Sequence, residues 1–197
     1  MEEVIKTILS NVLDALYKPF GYAILTSILF MFLHLYLKEV GWKNALKKWI
    51  ETFKTNSEFR RLFLLSFYTI VIMFRTLFNR NIWANPISNV IGIWGLYKEN
   101  GQITTEAIEN LFLFIPFTML LFWCFGEKIL GEKVKILTTL KKSIVVVFLF
   151  SLGTELLQVI LRIGTFQLSD LFYNTLGGLI GGLIYWIGYK FTHRKKK

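Results

Sequence analysis

Residues 155–182 read ELLQVILRIGTFQLSDLFYNTLGGLIGG, two apolar runs joined by a polar bend. Each run carries side chains that sit badly in apolar surroundings. Glu155, Gln158 and Arg162 recur at i, i+3 and i+7, so a helix places them on one face. Asp170, Asn174, Gly177 and Gly181 recur at i, i+4, i+7 and i+11, again one face. Two helices meeting at the bend would turn these faces toward each other. In a bilayer each central charge costs roughly 2.5–3.5 kcal/mol on insertion scales, so each such group needs a partner or a task. Gly177-x-x-x-Gly181 and Gly178-x-x-x-Gly182 are small-xxx-small pairs, which admit a neighbouring backbone at close range. They are expected to bring the last apolar helix against the one before it.

Composition places the rest of the chain in the same setting. Of 197 residues 54% are hydrophobic and 17% aromatic, Phe alone occurs 19 times, and the mean hydropathy is +0.49. That is too apolar for a domain with a water-facing surface and marks an all-α integral membrane protein. The formal net charge is +10. Its basic residues lie between apolar spans and in the tail, the pattern of membrane orientation, so nucleic acid is not an expected partner. The lone Cys124 excludes an intrachain disulfide and any CxxC metal or redox site. No cofactor and no metal are expected.

A single membrane domain, residues 1–197, reads as a bundle of about five transmembrane helices with interfacial amphipathic helices. In residues 1–16, Val4, Ile5, Ile8, Leu9, Val12, Leu13 and Leu16 form one stripe, opposite Glu2, Lys6, Ser10 and Asp14. This predicts a helix in the membrane surface plane, not a signal peptide. Spans are expected at 19–37, 62–78, 108–125, 143–162 and 170–189, each near the length that crosses a ~30 Å core. His34, near a span end, reads as an interfacial residue. The basic connection 38–61 carries a tryptophan-bearing apolar stripe suited to an anionic inner-leaflet surface. The connection 79–107 is longer and apolar. Its Asn85-Pro86 pair is read as the start of a re-entrant or interfacial segment that covers a site. Pro116 is expected to kink the third span.

Charge bias sets the topology. Lys38, Lys43, Lys47, Lys48, Lys54, Arg60 and Arg61 fill the first connection, and Lys128, Lys133, Lys135, Lys141 and Lys142 the third. The tail carries Lys190, Arg194 and Lys195 to Lys197, whereas the second connection holds only Arg80 and Lys98. Positive-inside then predicts a multi-pass protein of five spans, N-terminus outside and C-terminus cytoplasmic. Arg75, Arg162, Asp170 and Asn174 fall in the outer leaflet, with Glu155 about two turns deeper. Arg75 is read as a counter-charge for Glu155 or Asp170, since Arg75, Arg162, Glu155 and Asp170 sum to zero.

At Glu155-x-x-Gln158-x-x-x-Arg162 and Asp170-x-x-x-Asn174-x-x-Gly177-Gly178, ending in Gly181, the chain resembles the VanZ-like family of small bacterial membrane proteins. Weaker likeness extends to Arg75, to Asn85-Pro86 and to Asn110-Leu-Phe-Leu-Phe-Ile-Pro116. Phe117-Thr118 departs from the pattern, where the family usually has a glycine after the proline. The resemblance implies resistance to teicoplanin-type lipoglycopeptides in a Gram-positive cell envelope. The polar network or ligand set is then Arg75, Asn85, Asn110, Glu155, Gln158, Arg162, Asp170 and Asn174, with Gly177, Gly178, Gly181 and Gly182 for packing.

Three uses of such a cluster stand side by side. It can specify helix pairing only. It can bind a headgroup, a glycan, a lipoglycopeptide or a lipid-linked wall precursor, arginine suiting phosphate and carboxylates with amides suiting hydroxyls. Or it can belong to a small membrane enzyme acting on such a lipid, with Glu155 as general acid or base. The enzyme reading lacks a nucleophile–His pair, HExxH, a phosphate-binding glycine loop and clustered metal ligands. Membrane lipids are expected partners in every case.

Overall fold

One long helix turns mostly small or polar side chains inward and large apolar ones outward. In the computed structural model the buried residues of the helix Ile136–Leu161 include Thr139, Ser143, Val147, Ser151, Thr154, Glu155 and Gln158. Its exposed residues include Ile144, Val145, Phe148, Leu149, Leu156, Leu157 and Ile160. A helix in water would show the opposite arrangement. So large an apolar exterior is stable only against acyl chains. The chain is an all-α, multi-pass membrane protein.

The structure describes residues 2–36, 42–78, 82, 84–98 and 101–194. Of the residues named above, Lys38, Arg80 and Lys195 to Lys197 lie outside them. The described helices are α1 (Glu2–Tyr17), α2 (Phe20–Tyr36), α3 (Trp42–Thr55), α4 (Ser57–Met73), α5 (Glu106–Leu130), α6 (Ile136–Leu161) and α7 (Leu168–Arg194), with a π-helical turn, Phe74–Phe78, closing α4. Among the described residues, Val4–Tyr36, Glu106–Leu130, Ile136–Leu161 and Leu168–Thr192 are long and apolar enough to cross a membrane. The 17 residues of α4 are shorter, and the π turn lengthens them.

Several boundaries move from their expected places, each for a local reason. Asn56 starts α4 ahead of residue 62: its side chain accepts the Glu58 and Phe59 amides at 2.8 and 3.2 Å, a regular N-cap. Arg60 reaches back to the Phe53 and Lys54 carbonyls at the end of α3. The connection 38–61 is therefore mostly helix. Part of the α3 stripe packs within the protein, Trp49 and Phe53 with Met31, Leu35 and Phe59, while Leu46 and Ile50 stay exposed. The break in helical geometry within α5 falls at Phe125 (φ −125°, ψ 18°), not at Pro116. Gly126, which follows, makes room for the Tyr185 hydroxyl. Asn85 does not cap a helix; it accepts the Ile87 amide at 3.3 Å, and a turn follows.

Helix α7 lies between α5 and α6, and its glycines fit it there. A Cβ at Gly177 or Gly181 would collide with the Leu111 or Ile115 carbonyl of α5. One at Gly178 or Gly182 would strike Val147 or Ser143 of α6. The sequence reading assigned all four glycines to the contact with α6, but adjacent residues on a helix point about 100° apart, so the doubled pair serves two neighbours. The apolar core beside this wedge is Leu65, Ile72, Leu113, Phe114, Phe117 and Val147.

Gly181→Ala should therefore destabilise the detergent-solubilised protein by about 1–3 kcal/mol, the usual range for overpacking. Gly188→Ala, with nothing within 4 Å, should be neutral or slightly stabilising, because alanine favours helix over glycine. Thermal unfolding followed by fluorescence-detected gel filtration reads both, and equal melting temperatures for the two would refute the wedge.

Candidate functional site

Helices α5 and α7 begin, and α4 and α6 end, at the same end of the bundle. Every terminus leaves backbone groups without helical partners, and these must be met where water is scarce. The sequence-predicted residues do much of this. Glu155 is buried, and its Oε2 accepts the Gln167 amide at 2.9 Å. Gln167 stands just before α7, so a carboxylate meets the positive end of that helix. Gln158 is fully buried, and its Nε2 donates at 3.0 Å to the Thr76 carbonyl in the π turn that ends α4. Asp170, in the first turn of α7, accepts at 2.7 Å from Asn110 Nδ2 of α5. Asn174 Nδ2 donates to Ser151 Oγ at 2.8 Å. Glu155, Gln158, Asp170 and Asn174 are thus brought together from α6 and α7, with Asn110 added from α5.

Two predicted members stand elsewhere. Arg162 is exposed and occupies the left-handed region, φ 54°, ψ 35°, as the C-cap of α6. Its i+7 spacing from Glu155 supposed a helix that continued; the helix ends at Leu161, and the αL turn carries Arg162 off the buried face. Its amide bonds the Val159 carbonyl at 3.2 Å, and that of Ile163 the Gln158 carbonyl at 3.1 Å, which closes the helix end. Arg75 forms its ion pair with Glu109, not with the expected Glu155 or Asp170. Glu109 also accepts from the Thr105 hydroxyl, and Thr105 in turn receives Asn11 Nδ2 of α1 at 2.7 Å. Sequence reasoning missed Glu109, although a carboxylate at the head of an apolar span, opposite an arginine at the end of another, was a usable signal. At this end of the bundle the described buried or half-buried charged side chains of α4 to α7 are therefore Arg75, Glu109, Glu155 and Asp170, one cation and three carboxylates.

The apolar connection covers this end. The Phe166 and Leu168 amides donate to the Pro86 and Val90 carbonyls at 2.9 and 2.8 Å, so 86–90 runs beside the α6–α7 bend. The Tyr173 hydroxyl donates to the Trp94 carbonyl at 2.7 Å. Gly92, at φ +75°, lies so close to Ser169 that no side chain would fit. Asn85 is exposed within this cover and does not join the cluster.

Under it, two buried amides keep an unpartnered atom among the described residues. Gln158 Oε1 faces Gly164, and Asn174 Oδ1 lies beside the Ser151 bond. The Gln158 assignment follows from its partner, since the Thr76 carbonyl can only accept. The Ser151 hydroxyl accepts or donates, so turning the Asn174 amide would exchange which atom is left over without satisfying both. Each such atom costs about 1–3 kcal/mol unless a donor reaches it. Among the described residues no group of three His, Cys, Asp or Glu is placed to hold a metal ion. The cluster offers hydrogen bonds and charge.

The VanZ/LLP1 family model matches residues 20–189, which span α2 to most of α7 and hold the whole cluster. The chain belongs to the VanZ/LLP1 family. It is similar to Protein VanZ of Enterococcus faecium, 28% identical over 141 residues that cover 68% of this chain and 78% of that protein. No solved structure matches it. Within this VanZ/LLP1 chain, α1 lies outside the matched range yet reaches the cluster through Asn11.

Arg75 and Glu109 should show a coupling of about 1–3 kcal/mol in a double-mutant cycle of Arg75→Gln and Glu109→Gln. That is less than for a fully buried pair, because one third of the Arg75 side chain is exposed. Thermal unfolding of the four proteins measures it; strictly additive losses would rule the pair out as a stabilising unit.

Proposed function

We propose that this chain is a cell-envelope protein of the bacterial plasma membrane that reduces the action of teicoplanin-type lipoglycopeptides. Its means is the polar cluster beneath the apolar connection on the outer side, which engages the polar part of an amphiphile there. Membership of the VanZ/LLP1 family supports the setting. The observation that carries the site is the pair of buried amides, Gln158 and Asn174, each with an atom in want of a partner beside Glu155 and Asp170. A ligand rich in hydroxyl and amide donors, such as a glycan or a peptide, answers that arrangement. The basic Lys43, Lys47, Lys48 and Lys54 of α3 and Lys133, Lys135, Lys141 and Lys142 at the opposite end support a cytoplasmic assignment for that end.

The test is the teicoplanin susceptibility of a sensitive host expressing each variant at matched membrane levels. Glu155→Gln, Asp170→Asn and Gln158→Leu should return it to the level of the empty vector. Arg162→Gly should retain full protection, since it relieves the left-handed residue and removes a charge outside the cluster. Full protection by all of the first three would end the proposal. A reproducible new mass among membrane lipids or wall precursors would replace binding with chemistry at Glu155. In a Cys124→Ser background, a cysteine at Lys98 should label from outside and one at Lys133 only after permeabilisation.

A further inference from the structure

At the same end of the bundle a cavity of about 260 Å³ opens between the end of α1, the start of α2 and the π turn. Of the cluster described above only Arg75 lines it, and the other charged lining residues, Asp14 of α1 and Lys18 just past its end, precede the family-matched range. Its chemistry is divided. Among its lining residues are two cations, Lys18 and Arg75. Among them too, Tyr22 and Phe74 stack with ring centroids 5.6 Å apart, and Pro19 is buried.

The two cations are held but not used up. Lys18 pairs with Asp14 at 3.0 Å, and both side chains are more than half exposed. Arg75 gives its Nη2 to Glu109, whose side chain is only 7% exposed. A guanidinium has five N–H donors in a planar fork, so that inner contact leaves others for a second acceptor, and a third of the side chain is exposed to meet one. Glu109 thereby holds one end of the Arg75 guanidinium, and Arg75 is at the same time a lining residue of the cavity. Two cations beside an aromatic wall, at helix ends where headgroups gather, match an anion joined to an apolar body.

We propose that this cavity binds a phosphate group, Arg75 and Lys18 holding its oxygens and the Tyr22–Phe74 wall receiving the carbon skeleton attached to it. Asp14 accepts from a hydroxyl or ammonium on the same headgroup. A phospholipid headgroup and free phosphate share this chemistry, and the experiment separates them. The inference stands apart from the resistance proposal: its readout is binding, and neither outcome depends on Glu155 or Gln158.

The detergent-solubilised full chain is titrated by native mass spectrometry with dihexanoyl phosphatidylglycerol, with dihexanoylglycerol and with inorganic phosphate. Lys18→Glu, a change of two charge units, should weaken phosphatidylglycerol binding roughly thirtyfold and Lys18→Gln roughly fivefold, as expected for about 1 kcal/mol per unit of charge near a membrane surface. Lys43→Glu, an equal charge change on exposed α3, should leave binding unchanged, which separates the cavity from general attraction to a basic protein. Both Lys18 variants should melt with the wild type, because the Lys18–Asp14 pair is exposed. Competition by inorganic phosphate would assign the affinity to the phosphate alone; its failure to compete, with phosphatidylglycerol still bound, would assign it to the whole amphiphile. Equal binding of the uncharged diglyceride, or no loss in Lys18→Glu, would overturn the proposal.

Discussion

The arrangement depends on how closely α7 approaches its two neighbours. Gly177 and Gly181 admit the backbone of α5, and Gly178 and Gly182 admit Val147 and Ser143 of α6. Acyl chains give apolar helices no reason to prefer one another, so contact at backbone distance and interhelical hydrogen bonds must supply the preference. Here they coincide. The row of α7 that holds Gly177 and Gly181 continues to Asn174 and Asp170, and those side chains bond Ser151 of α6 and Asn110 of α5. Bulk at the glycines would pull both amide contacts apart, because a bond of 2.7–2.8 Å tolerates little displacement.

Polar residues gather at one end because of helix polarity as well as packing. Helices α5 and α7 start there, and α4 and α6 stop. The carboxylates lie at the starts: Glu109 in the first turn of α5, Asp170 in that of α7, and Glu155 on the amide just before α7. The arginines lie at the stops, Arg75 after α4 and Arg162 after α6. Each sign faces the dipole it stabilises, worth about 0.3–1 kcal/mol per exposed group and more when partly buried. Part of the cluster is therefore explained by folding alone. The remainder is Gln158 and Asn174, since end-capping accounts for the nitrogen of Gln158 but leaves its Oε1, and one atom of the Asn174 amide, without a partner.

What could be read in advance followed this division. The spacing from Glu155 to Gly182 carries its own geometry, so the meeting of α6 and α7 and the burial of Glu155, Gln158, Asp170 and Asn174 needed no knowledge of other helices. Arg75 was different. A charge inventory shows that an arginine needs a carboxylate but not which helix lies beside it, and α5 brings Glu109 there before Glu155 or Asp170. Arg162 failed for a third reason: periodicity presumes that a helix continues, and one αL residue at its end redirects everything after it. Asn56 at the head of α4 and Phe125 within α5 were equally hidden, because caps and breaks depend on single residues that hydropathy averages away.

Helix α1 shows how a segment outside the family-matched range becomes tied to the cluster. Its outer stripe, with Ile5, Leu9 and Leu13 more than half exposed, suits contact with lipid, while Asn11 and Ala15 face the protein. Asn11 donates to the Thr105 hydroxyl, Thr105 donates to Glu109, and Glu109 holds Arg75. A hydroxyl that accepts one hydrogen bond donates a stronger one, so the contact with α1 strengthens the hold of Thr105 on the carboxylate. Glu109 is shared between that hydroxyl and the guanidinium, and the position of α1 thus bears on how firmly Arg75 is drawn inward. Lys18, the residue that follows α1, lines the same cavity as Arg75. A displacement of α1 would change both the charge in that space and the orientation of the arginine lining it, which couples the lipid-facing helix to the polar end of the bundle through a single threonine.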